Sequence, residues 1–79
     1  MILMGEIKFG KYKHFKGNEY EVLGVGYHSE TLEKLVIYRA LYDSEEFGSN
    51  AIWARPYEDF IGMKEVDGEE VKRFEYIGE

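Results

Sequence analysis

Four short clusters hold most of the side chains able to bind or transform a ligand: Lys13-His14-Phe15-Lys16-Gly17, His28-Ser29-Glu30-Thr31, Tyr38-Arg39-Ala40-Leu41-Tyr42 and Trp53-Ala54-Arg55-Pro56. Together they contain both histidines, the only tryptophan and two of the three arginines. Imidazole titrates near neutrality, so each histidine is a candidate proton carrier. Opposite Glu21, His14 would be held by a carboxylate that orients the ring and favours its protonated form. The competing reading is an exposed cross-strand ion pair, worth about 0.2–1 kcal/mol, and it takes precedence.

His28, Ser29 and Glu30 offer the residue types of nucleophilic catalysis, but three neighbours on a short loop do not converge as a triad must. Side chains in such a loop more often satisfy its own backbone. The two histidines and nearby glutamates also lack zinc-like spacing, so neither a metal nor another cofactor is expected. Arg39 interrupts an apolar run and shares strand parity with Leu35, Ile37 and Leu41. If those point inward it needs an acidic partner, for which Glu30 and Glu21 are the candidates. Arg55 and Trp53 share parity as well, which projects a guanidinium and an indole to one side of a strand end. That pairing suits an anionic or planar ligand, because arginine forks match carboxylate and phosphate while tryptophan offers a π face. The alternative for Trp53 is that it is the core's largest piece. Tyr12, Tyr27, Tyr38 and Tyr42 could line an aromatic cage, although half-exposed tyrosines are ordinary on strands.

The elements that must position these groups read as one antiparallel meander. Lys11–Lys16 and Glu19–Tyr27 alternate around Gly17-Asn18, a two-residue hairpin signal of the Gly-first type. That turn implies that paired residue numbers add to 35. His14 then faces Glu21 and Phe15 faces Tyr20. Phe15, Tyr20 and Val22 share a core face, while His14, Lys16, Glu19 and Glu21 share the other. Gly24 and Gly26 mark a bulge or bend. Residues 28–33 form a connecting loop. From Leu35 to Tyr42 the β-branched and aromatic residues favour a strand over a helix running from Ser29 to Tyr42. Asp43–Asn50 is a polar loop in which Phe47 tucks down, and Ala51–Arg55 is a short strand. Pro56–Phe60 fits a helical turn that returns Phe60 to the core. Ile61–Val66 and Glu70–Ile77 flank Asp67-Gly68, a second hairpin signal. The expected fold is all-β, a small antiparallel SH3-like barrel of five or six strands with a short helical turn.

A chain of 79 residues, 44% of them hydrophobic and 16% aromatic, supplies one core, so residues 1–79 are expected to be a single domain. With no cysteine there is no disulfide framework or thiolate site, and cytoplasm is the expected compartment. Met1-Ile2-Leu3-Met4 is too short for a signal peptide, and no apolar run approaches a membrane span. The net charge of −6 is uneven: residues 1–17 carry four Lys against one Glu, whereas residues 43–79 carry eleven acidic and four basic groups. Overall acidity argues against a nucleic-acid partner, although a local basic hairpin of Lys8, Lys11, Lys13 and Lys16, with Tyr12 and Phe15, survives that argument.

The pieces Gly10-Lys11-Tyr12-Lys13-His14-Phe15-Lys16-Gly17, Tyr20-Glu21-Val22, His28-Ser29-Glu30-Thr31, Val36-Ile37-Tyr38, Ala40-Leu41-Tyr42, Trp53-Ala54-Arg55-Pro56, Phe60 and Arg73-Phe74 together resemble a family of short bacterial proteins known only as a domain of unknown function. The resemblance covers nearly the whole chain. It implies a small β domain of the bacterial cytoplasm, free-standing or fused, and lends no catalytic residue.

Taken together, the residues point to a non-enzymatic binding module. His28, Glu30, Arg39, Trp53 and Arg55 would gather into a shallow pocket for a peptide, a nucleotide or another small anion. A small hydrolase using His28 or His14 with Glu30, and single-stranded nucleic-acid binding through the basic hairpin, are the alternatives.

Overall fold

A computed structural model describes residues 7–78; the Met1–Met4 run lies outside the described residues. The strands are β1 (Gly10–His14), β2 (Glu19–Tyr27), β3 (Lys34–Ala40), β4 (Asp43–Ser44), β5 (Gly48–Ser49) and β6 (Ile52–Pro56), then a helical turn α1 (Tyr57–Phe60), β7 (Met63–Val66), β8 (Glu69–Lys72) and β9 (Phe74–Gly78). Five of them form one antiparallel sheet in the order β6-β3-β2-β1-β9. Residues 34–40 are strand rather than helix. The other strands make two small hairpins, β4-β5 and β7-β8.

The first hairpin has a register different from the expected one. Tyr12 pairs with Tyr20 and Lys13 with Glu19, so paired numbers add to 32 instead of 35. The reason lies in the turn: the His14 N–H donates to the Asn18 carbonyl at 2.7 Å and the Gly17 N–H to the His14 carbonyl at 2.7 Å. Phe15–Gly17 is therefore a three-residue loop closed by the His14–Asn18 pair, with Gly17 at φ +110°. An odd shift exchanges the faces of a strand. His14 moves to the core face with Tyr12, Tyr20 and Val22, Phe15 moves into the turn, and the expected His14–Glu21 pair does not form.

The bulge falls where the glycines suggested, between Val22 and Gly24 of β2, and leaves Leu23 as the extra residue. Beyond it, Gly24 and Gly26 lie opposite Ile37 and Leu35 on the outer face, while Val25 pairs with Val36 on the inner one. The turn of the second hairpin matches its prediction, but the expected strand Glu70–Ile77 is divided at Arg73 into β8 and β9, and β9 pairs with β1 instead of β7. Asp67 and Gly68 both have positive φ, 52° and 84°, as the two-residue turn of the right twist requires.

The inner face carries Tyr12, Val22, Val36, Tyr38, Ala40 and Phe74, all buried, and α1 adds Phe60 at 1% exposure. Pro56 ends β6 and flanks α1 at its N-cap, and the Ile61 N–H closes the turn on the Tyr57 carbonyl at 3.1 Å. Phe60 thus swings under the sheet. It stacks on Phe74 with centroids 4.1 Å apart and planes 5° from parallel, and meets Tyr38 and Tyr12 edge-on, each at 5.3 Å.

The sheet curls strongly. Phe74 on the β9 edge reaches Tyr38 on β3 at 5.5 Å and lies beneath the Arg55 guanidinium of β6, the opposite edge, at 5.3 Å. It does not close into a barrel, which corrects the SH3-like expectation. The two edges meet through an arginine and a ring, not through a backbone ladder, whose strands would lie about 4.8 Å apart. Rings this large along the inner face hold a five-stranded sheet open.

Candidate functional site

The open end of the curled sheet collects the polar groups of the inner face. Trp53 lies opposite Tyr38 and Arg55 opposite Val36 across the β6-β3 ladder, so both β6 side chains project inward. Arg55 donates from Nε to the Tyr38 hydroxyl at 3.1 Å and rests on the Phe74 face. Its two terminal nitrogens have no acceptor among the described residues and are not fully buried. No carboxylate among the described residues pairs with it.

Beside it stands a cluster of tyrosines. The Tyr20 and Tyr42 hydroxyls are 2.8 Å apart, and their rings meet edge-on at 5.6 Å. Such a pair shares one proton in its bond and leaves the other for an outside acceptor. Burial first, then the bond to Tyr42, pushes the Tyr20 phenol well above its ordinary range, so it stays a neutral donor. Tyr38, 4% exposed, accepts from Arg55 and keeps its own proton unspent. Trp53 continues this wall as a half-buried ring with Phe47 set edge-on against it at 4.9 Å. Phe47 does tuck down, against Trp53, although it remains largely exposed.

His14 completes the cluster from β1. Its ring lies edge-on to Phe74 at 4.9 Å, near Tyr20 at 6.4 Å and tilted over Phe15 at 4.5 Å. Nδ1 accepts the Lys16 N–H at 3.1 Å, so a neutral ring carries its proton on Nε2. Partial burial, then the positive charges of Arg55, Lys16 and Arg73, hold its pKa below the usual imidazole value.

The sequence-derived set does not share one surface. Trp53 and Arg55 come together. Arg39 lies on the outer face, where it is half-buried and ion-paired through a terminal nitrogen with Glu21, its neighbour across the β2-β3 ladder. Glu21 was one of the two expected partners; the expected face was the wrong one. His28 and Glu30 occupy the exposed β2-β3 loop. There the His28 Nδ1 accepts the N–H groups of Glu30 at 3.1 Å and Thr31 at 3.3 Å, which spends the imidazole on its own loop. Among the described residues neither histidine bonds a carboxylate, and no group of three His, Cys, Asp or Glu could hold a metal.

Of the basic N-terminal residues, Lys8 lies over the Tyr76 ring at 4.9 Å and Lys16 over Phe15 at 5.9 Å. Tyr12 is 6% exposed and donates its hydroxyl to the Lys8 carbonyl at 2.7 Å, so it offers no free stacking face. Sequence reasoning placed Tyr20 on the core face but missed His14 there; alternation would have found His14 had the first turn been counted as three residues, Phe15–Gly17. No helix among the described residues is long and apolar enough to cross a membrane.

Residues 10–76 match the family described as "Protein of unknown function (DUF1653)". The fold is similar to the crystal structure of a DUF1653 protein from Bordetella bronchiseptica, with a TM-score of 0.83 and 28% identity, covering 96% of this chain and 94% of that one. None of the curated proteins matches.

Proposed function

Because the chain belongs to the DUF1653 family, whose function is unknown, its role is read from the site itself, and we propose that it is a non-enzymatic binding module for a small anionic ligand with a planar part. The observation that carries this reading is the Arg55 guanidinium. It is oriented by Tyr38, lies against Phe74, has an acceptor at neither terminal nitrogen and lacks a carboxylate partner among the described residues. A guanidinium fixed in this way presents two parallel N–H groups to a carboxylate or phosphate.

The surrounding groups favour the same class of ligand. Around Arg55 the unspent donors are a Tyr38 proton, one proton of the Tyr20–Tyr42 pair and the His14 Nε2–H. Trp53 supplies the neighbouring π face. A peptide carboxylate or a nucleotide meets both requirements. The proposed site keeps Trp53 and Arg55 from the sequence-derived set and leaves out His28, Glu30 and Arg39.

Trp53 is the only tryptophan, so its fluorescence reports on the site directly. Titration with a nucleoside monophosphate and with an acidic tetrapeptide is expected to perturb that emission for at least one of them, and Arg55→Ala is expected to remove the response. A response of equal size in Arg55→Ala would sink the proposal.

A further inference from the structure

A guanidinium and an imidazole from opposite sides of the curled sheet converge on one ring. The Arg55 carbon Cζ is 5.3 Å from the Phe74 centroid, and the His14 ring is 4.9 Å from it. From this we infer that His14 is the second arm of the Arg55 site, and that an oxyanion seated against Phe74 between them binds together with one proton taken up at His14. The inference rests on the anion-site reading and adds to it a binding residue and a proton.

The groups around His14 argue for it. From β6 it meets Arg55, from the first turn Lys16, and from the residue preceding β9 Arg73, all positive, while β2 contributes the neutral Tyr20 and β9 the Phe74 ring. Lys13 and Glu75, paired across the β1-β9 ladder beside the His14–Phe74 pair, add one charge of each sign to the groove that His14 borders. The three cations Arg55, Lys16 and Arg73 repel a further positive charge, and the cheapest way for the free protein to relieve that repulsion is to leave the imidazole neutral. An anion between Arg55 and His14 reverses the balance, because an opposite charge within about 4–6 Å favours the protonated form. His14 is also reachable: it borders an open groove of about 310 Å³ together with Lys13, Phe15, Val66, Val71, Lys72 and the Glu75 carboxylate.

The proton is held in a defined place. With Nδ1 accepting the Lys16 N–H, the neutral ring has one N–H, at Nε2. Protonation would place a second N–H at Nδ1 and break that bond, so the Phe15–Gly17 turn must adjust as the anion binds. No other bond is made or broken, and the proton comes from solvent. The site should therefore hold its anion more tightly in mild acid than in base.

The test uses the full chain with benzoate and with sulfate, whose charges stay constant between pH 5 and 8, and follows the His14 ring by NMR as pH is varied. Saturating anion is expected to raise the His14 pKa, and affinity is expected to rise as pH falls, by about tenfold for each pH unit of that displacement. Benzoate outperforming sulfate would assign the site to planar carboxylates, and the reverse to tetrahedral oxyanions; either supports the inference. His14→Gln is expected to retain Arg55-dependent binding while losing its pH dependence. Arg55-dependent binding with an unmoved His14 titration overturns the role of His14 and leaves the site intact. Failure of both anions to bind anywhere in that range overturns both.

Discussion

The Nε–H of Arg55 donates to the Tyr38 hydroxyl at 3.1 Å, and that bond determines where the one inward-facing guanidinium of β6 sits. Tyr38 is buried between Tyr20, Phe60 and Phe74, so its ring is a fixed anchor and Arg55 is the moveable partner. Tyr38→Phe preserves the ring packing and removes the acceptor. It is expected to cost about 1 kcal/mol of stability, measured by urea denaturation, because one hydrogen bond is lost. Binding of benzoate or sulfate should weaken far more than that of a surface control, since Arg55 is then free to leave Phe74.

Acid should weaken the fold through His14. Its folded-state pKa is depressed, first by burial and then by the surrounding cations, so the unfolded chain takes up a proton at a higher pH than the folded one. Stability then falls as pH drops below the ordinary imidazole value of about 6.5, and the loss is complete below the folded-state value. Chemical denaturation between pH 8 and pH 5 is expected to show this slope in the parent chain. A flatter slope is expected in His14→Gln.

Arg39 and Glu21 form an ion pair on the outer face, with side chains 39% and 38% exposed. Pairs so exposed couple weakly. A double-mutant cycle with Arg39→Ala and Glu21→Ala is expected to give a coupling of about 0.2–1 kcal/mol, shrinking as salt is added. Neither variant should change the Trp53 fluorescence response of the inner face.

Phe60 joins α1 to the sheet at 1% exposure, stacked on Phe74. Phe60→Ala removes a ring that touches β1, β3 and β9 at once, and is expected to cost about 3–5 kcal/mol, enough to unfold a domain this small at ambient temperature. Phe60→Leu refills much of the volume and should remain folded with a lowered melting temperature.

The β7-β8 hairpin depends on its turn, because all of its strand residues but Val71 are exposed. Gly68 sits at φ +84°, where a Cβ is strained although no neighbouring atom lies within 4 Å. Gly68→Ala is expected to destabilise the hairpin by about 1 kcal/mol or more. Amide exchange should accelerate at residues 63–72 with little change at β2 and β3, since this hairpin pairs with no other strand.

Much of the fold was legible in the residues themselves. Asp67-Gly68 demands positive φ at two successive positions, and only one hairpin geometry supplies that. Gly24 and Gly26 interrupt a strand and mark the bulge at Leu23. Pro56 ends β6 and places Phe60 four residues on, where a single helical turn carries it inward. Each of these is a local effect, decided by the sterics of a few neighbouring residues.

Register and curvature are different. The stretch around Gly17-Asn18 is compatible with a two-residue or a three-residue connection, and the odd difference between them exchanges the two faces of β1. His14 therefore reads as exposed and paired with Glu21 in one case, and as an inner-face ring beside Arg55 in the other. Arg39 went to the outer face for a similar reason: the parity it shares with Leu35 and Ile37 says that they lie together, not on which side. The core chose the Val36 and Tyr38 side, because that face meets Phe60 and Phe74.

The sequence by itself determined an all-β chain, its Asp67-Gly68 turn, its bulge and its membership of one family, since these follow from backbone preferences and residue types over a few positions. Only the tertiary structure decided that Arg55 of β6 and His14 of β1 meet over Phe74 of β9. That meeting depends on how far five strands curl around a set of aromatic rings, and curl is set by the packing of the whole inner face at once.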